Sequence, residues 1–128
     1  MLRRARRRAA ARGLQEIELL QADATKLPLP AESAGLFLSF WGLHCFPQPS
    51  AALAETVRIL ERGGRLVGST FVRGKDSMRQ RLLVRPGRGD FGAVGTAAEV
   101  ACWLEEAGFS DPTIRRSGPM MFFQAQRA

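Results

Sequence analysis

Asp23 closes an apolar run that begins at Ile17, and it is followed by Ala24 and then by Leu27-Pro28-Leu29-Pro30. An ionised carboxylate only accepts hydrogen bonds, so at a strand end it suits an exocyclic amine such as that of adenine. The same residue type also caps loops by bonding nearby backbone amides, and both roles stay open on these residues alone. His44 follows Phe40-Trp41-Gly42-Leu43. Imidazole titrates near neutrality and can move a proton, but this ring has no paired acid or nucleophile in the sequence, and a loop carbonyl would satisfy it equally well. Phe40, Trp41 and Phe46 either wall a pocket or fill a core. Gly87-Arg88-Gly89-Asp90-Phe91-Gly92 has the letters of a dinucleotide loop. That loop needs a strand directly before it and a helix starting within it. Here Pro86 adjoins the first glycine, so the segment reads as a flexible loop over the ligand edge. One histidine and two scattered cysteines, Cys45 and Cys102, give no protein-built metal site. The two thiols fit a reducing cytoplasm.

The elements that must position these residues fit within one domain, since the chain has 128 residues. It contains no apolar run long enough to span a membrane. The net charge of +7 is concentrated at the start. Arg3, Arg4, Arg6, Arg7, Arg8 and Arg12 meet no acid before Glu16, and a second basic run holds Arg73, Lys75, Arg79, Arg81, Arg85 and Arg88. The arginine-rich start reads as a helix with a solvated face: Leu2, Ala5 and Ala9 recur at helical spacing and Gly13 fits its end. A nucleic-acid arm and an organelle transit peptide are the competing readings, the latter weakened by the lack of serine.

After this helix over 1–12, a strand is expected at 17–23, a loop at 24–34 and a second strand at 35–41. Both strands are continuous apolar runs, as in a sheet covered on both faces. A helix over 50–61 places Leu53, Val57 and Leu60 on one face and is stopped by Gly63-Gly64. Arg65 to Val72 is a third strand, and 73–95 is basic and irregular. Thr96-Ala97-Ala98-Glu99 has the form of a capping box, which opens a helix that ends at Gly108. Two strands near 112–117 and 120–126 are joined by a turn too short for a crossover and so form an antiparallel hairpin. Alternating strands and helices define an α/β fold with a mostly parallel sheet. In such sheets ligands sit beyond the carboxyl ends of the strands, here Asp23-Ala24, Phe40 to Phe46 and Phe71 to Gly74.

Three stretches together carry a family resemblance: Asp23-Ala24 with Leu27-Pro28, Trp41-Gly42-Leu43-His44, and Arg58 to Val67 (RILERGGRLV). With the final helix they make nearly the whole chain resemble class I S-adenosylmethionine-dependent methyltransferases, in the branch of the ubiquinone and menaquinone C-methyltransferases. The resemblance implies a Rossmann-like sheet of order 3-2-1-4-5-7-6 and methyl transfer to a small-molecule acceptor. It implies that Asp23 accepts from the adenine amine, that the backbone at Ala24 meets a ring nitrogen, and that Phe40 and Trp41 pass beside the cofactor. His44, as a catalytic candidate, and Cys45 would face the acceptor.

The sequence departs from that family before residue 17. There the family has a strand, a glycine-rich turn, a helix and a second strand ending in an acid. Gly35 also stands where the family usually has Asp. The expectation is therefore a single but partial domain, 1–128, truncated at its amino-terminal side, in which strand 17–23 has lost its neighbours. Three outcomes are expected: 17–23 pairs directly with 35–41, which is favoured, or a second chain completes the sheet, or the monomer is poorly packed and aggregation-prone with an exposed apolar edge. A non-enzymatic interaction module is the alternative function. A basic nucleic-acid-binding protein is disfavoured because the arginines are not interleaved with aromatics.

Overall fold

The computed structural model describes residues 1–72 and 95–128. The six-residue glycine pattern at 87–92 and the second basic run lie outside the described residues. Helix α1 (Leu2–Ala11) opens the chain. Leu2, Ala5 and Ala9 are its half-buried positions, as their spacing predicts. Gly13 ends it with φ +66° while the Leu14 amide reaches back to the Ala9 carbonyl at 3.0 Å.

Four strands form one sheet in the order β1-β2-β4-β3: β1 (Ala34–Phe40), β2 (Leu60–Phe71), β3 (Phe109–Ser117) and β4 (Met120–Arg127). β1 and β2 run parallel, and the other two pairings are antiparallel. The expected hairpin is β3–β4, with Gly118 at φ +56° in its turn. Helices α2 (Pro49–Ile59) and α3 (Ala97–Ala107) pack on one face of this sheet. The capping box of α3 forms in both directions: the Thr96 amide donates to Glu99 Oε2 at 2.6 Å, and the Glu99 amide to Thr96 Oγ1 at 3.2 Å. Leu53, Val100 and Leu104 from the helices meet Leu66, Met121, Phe123 and Ala125 from the strands, and all seven are buried.

The Gly63-Gly64 pair does not stop a helix. α2 ends at Ile59, and the chain passes directly into β2 with Leu60 already extended. The glycines instead build a bulge, since Ala34 pairs with Leu60 but Leu36 pairs with Arg65. Gly63 supplies the positive φ of +76°, and a Cβ on Gly64 would stand 2.8 Å from the Glu61 carbonyl oxygen.

The expected strand at 17–23 does not form. The segment is free of any ladder, Ile17 and Leu20 are 50% and 43% exposed, and Asp23 makes only an isolated bridge to Lys26. Direct pairing with 35–41 is absent too, and β1 is an outer strand of the sheet. The physical reason is the lack of a partner: a strand needs an adjacent strand for its backbone groups, and among the described residues none stands beside 17–23, while residues 27–33 are hydrogen-bonded to α2 instead. Cover on both faces also fails. Leu36, Leu38 and Phe40 project from the face opposite the helices and are 47%, 56% and 58% exposed.

Candidate functional site

The carboxyl end of β1 turns sharply at Trp41, which holds φ +59°, a backbone region that bulky residues rarely occupy. Its amide donates to the Ser69 carbonyl at 2.9 Å, so the turn is tied to β2. Gly42 follows where a Cβ would stand 2.9 Å from Ser39 Oγ, and a short 3₁₀ turn, Leu43–Cys45, then carries His44 back over the sheet. Trp41 and His44 converge on Phe71 at the end of β2. The ring centroids lie 4.8 Å and 4.9 Å from that of Phe71, both edge-on.

His44 is buried. Its Nδ1 accepts from the Phe71 amide at 3.3 Å and lies 3.2 Å from Thr70 Oγ1. A backbone N–H aimed at Nδ1 fixes the neutral ring with its hydrogen on Nε2. Burial lowers the pKa of His44 from its ordinary 6.5. The unfolded chain therefore takes up the proton more readily. Stability is whole above about pH 6.5 and falls as the pH drops through the folded-state pKa. Melting temperature should decline between about pH 7 and about pH 5 more steeply in the wild type than in His44→Gln. Equal slopes would contradict a ring held neutral by the fold.

Asp23 is exposed, and Ala24 is half-buried. Asp23 Oδ1 accepts from both the Thr25 amide and the Thr25 hydroxyl at 2.8 Å. These bonds, the backbone one first, lower its pKa, so it is ionised at neutrality. The loop-capping role is thus in place, and Oδ2 remains as an acceptor for an amine. The Lys26 amide closes the turn on the Asp23 carbonyl at 3.0 Å. The structure places Trp41, His44 and Phe71 together, while the Phe40 side chain is exposed at the end of β1 and has no ring contact with them. Asp23-Ala24 forms a separate turn with no hydrogen bond to that group.

Sequence reasoning missed four participants. Thr70 and Ser69 lie just inside the end of β2. The Ser69 hydroxyl is buried without a hydrogen-bond partner, in register between Phe40 and Phe122. Glu55, with Arg58, anchors the loop after Asp23, and its Arg58 partner holds the carboxyl down at about 2. The only signal for that pair was its one-turn spacing on α2. Among the described residues, no group of three His, Cys, Asp or Glu side chains could hold a metal ion. No helix among them is long and apolar enough to cross a membrane.

This order of elements, with the strand sequence β1-β2-β4-β3, corresponds to the 4-5-7-6 part of the sheet order that the resemblance implies. Residues 1–68, just over half of the chain, match the family described as "Methyltransferase domain". The chain belongs to that family. Demethylmenaquinone methyltransferase from Thermus thermophilus is 45% identical over 71 residues, which is 56% of this chain and 32% of that protein. An uncharacterised chloroplastic methyltransferase of Arabidopsis thaliana is 42% identical over 57 residues, 44% of this chain and 16% of its own length. Among solved structures, a SAM-dependent methyltransferase from Aquifex aeolicus superposes with a TM-score of 0.75 at 20% identity, covering 99% of this chain and 63% of that one. That likeness shows the Rossmann-like methyltransferase fold. The chain's match thus spans about a third or less of the length of the curated relatives named here.

The donor set fits one end of S-adenosylmethionine. An ionised carboxylate with an unused oxygen, beside a small half-buried residue, suits the adenine amine and ring edge. Among the described residues, no glycine-rich turn joins a strand to a helix, so the ribose and methionine ends have no such cradle.

Proposed function

We propose that this chain is the carboxyl-terminal part of an S-adenosylmethionine-dependent methyltransferase that methylates a small-molecule acceptor. The observation that carries the reading is the joint presence of the family match over 1–68 and an ionised Asp23 at the predicted adenine position. The cofactor, when bound, supplies an already activated methyl group. The protein's task is then alignment at near-attack distance. Asp23 accepts from the adenine amine, and Ala24 leaves room for the ring. Phe40 and Trp41 pass beside the cofactor, with the Trp41 turn fixed by Ser69. His44 faces the acceptor. With Nδ1 accepting from Phe71, the proton that ring holds is on Nε2. The Thermus relative is named for demethylmenaquinone, which supports a quinone-class acceptor. Residues 1–128 would work as one partial domain in a reducing cytoplasm, consistent with two free cysteines.

Completion of the sheet by further polypeptide, from a second chain or from the same one, is part of this proposal. β1 offers an open edge, and Leu36, Leu38 and Phe40 an uncovered apolar face beside it. Both features invite a partner strand with a helix behind it. The same face favours the second reading, an interaction module without catalysis. Labelled methyl transfer separates the two. The chain, fused behind the amino-terminal portion of the Thermus relative, should transfer label from S-adenosylmethionine to demethylmenaquinol. Sheet completion without any transfer would favour the module.

A further inference from the structure

Glu55 and Arg58 stand one turn apart on α2 and satisfy both polar groups of one loop residue. The Leu27 amide donates to Glu55 Oε1 at 2.7 Å, and Arg58 Nη2 donates to the Leu27 carbonyl at 3.2 Å. The same nitrogen reaches the Leu29 carbonyl at 2.9 Å. The two side chains are themselves joined, Arg58 Nε to Glu55 Oε2 at 2.8 Å and Arg58 Nη2 to Glu55 Oε1 at 2.7 Å. The Arg58 carbonyl also accepts from the Glu32 amide at 3.0 Å.

An exposed ion pair of this spacing contributes little to stability. This one does for Leu27 what a neighbouring strand would do. The Glu55 side chain is only 12% exposed, as befits a group bonded on several sides. Pro28 and Pro30 bring no amide of their own and restrict Leu27 and Leu29 to extended backbone, so the gripped stretch is stiff. Directly before it stands the compact Asp23–Lys26 turn, closed on itself by Thr25 and Lys26. A closed turn attached to a stiff, gripped segment has little freedom left.

We propose that Glu55 and Arg58 are positioning residues for the Asp23 turn: by fixing Leu27 and Leu29 against α2 they set where the Asp23 carboxylate stands. The ligand half of this inference rests on the reading of Asp23 as an adenine acceptor, and the grip itself does not.

Residue-resolved amide hydrogen exchange on the chain, with adenosine as the probe ligand, tests both halves. In Arg58→Ala the Lys26 and Leu27 amides should exchange about tenfold faster, the scale of one lost hydrogen bond, while β2 and β4 keep their rates. Arg58→Lys, which keeps a donor but not the fork, should recover part of the protection. Unchanged exchange at 26–27, or a uniform increase across β2 and β4, overturns the proposal. Millimolar adenosine should shift the Thr25 and Lys26 resonances in the wild type and less in Arg58→Ala. Equal shifts in both overturn the positioning role. No shift in the wild type, together with faster exchange in Arg58→Ala, upholds the grip and removes the adenine reading of Asp23.

Discussion

Gly68→Ala should destabilise the domain by about 3 kcal/mol, the upper end of ordinary overpacking costs. Gly68 lies in β2 between Ser39 of β1 and Phe123 of β4. A Cβ there would stand 2.6 Å from the Phe123 ring and 2.6 Å from the Ser39 carbonyl oxygen. The first obstacle is the tip of a buried side chain. The second is backbone of the parallel neighbour and moves only if β1 shifts. Phe123→Leu should therefore recover only part of the loss in the double variant. Urea melts decide this, with the slope kept constant and the midpoint lowered. A Gly68→Ala midpoint equal to wild type would mean that β1 and β4 are not packed around this glycine as described.

Leu104→Ala and Leu38→Ala should differ by several kcal/mol although the chemical change is the same. Leu104 is fully buried beneath α3 at the centre of the core. Its truncation removes apolar contact and leaves a cavity, at a cost of about 2–5 kcal/mol. Leu38 is 56% exposed, on the face opposite the helices α2 and α3. Its truncation in the chain alone should stay within about 0.5 kcal/mol. Once a helix covers that face, Leu38→Ala should cost about 2 kcal/mol, as for a newly buried leucine. Melts of both variants, alone and in the fusion, report whether the face is vacant in one and filled in the other. Equal costs for Leu104→Ala and Leu38→Ala in the chain alone would contradict the one-sided core.

What the sequence made legible was mostly local. The Thr96–Glu99 capping box lies within one turn, and its signal is the same in any fold. The short turn at 117–119 forces a hairpin whatever surrounds it. β1 was visible because Leu36, Phe37, Leu38 and Phe40 make a short apolar run, but which of its faces would be covered depends on neighbours the run does not encode. The segment 17–23 has the composition of a buried strand and no ladder, because pairing needs an adjacent strand and the 27–33 connection is held elsewhere. Gly63-Gly64 reads equally well as a helix stop or a bulge; the pairing of Leu60 with Ala34 selects the bulge. At the candidate site, Asp23 was singled out by its position after an apolar run. The Glu55–Arg58 grip joins residues 28 and 31 positions apart, which helix periodicity cannot report. His44 was visible as a candidate, but its tautomer is set by the Phe71 amide, which only the folded chain supplies.

Calorimetric titration of S-adenosylhomocysteine bears most directly on whether this chain carries the adenine end of a shared cofactor site. The chain alone should bind more weakly than about 1 mM, because a single carboxylate contact supplies little of the ~4 kcal/mol that such an affinity requires. Fused behind a glycine-loop half, the affinity should rise at least about a hundredfold, and Asp23→Ala in the fusion should lower it about tenfold, as for one lost charge-assisted hydrogen bond. Micromolar binding by the chain alone, or a fusion that binds equally well with and without the Asp23 carboxylate, would contradict that assignment.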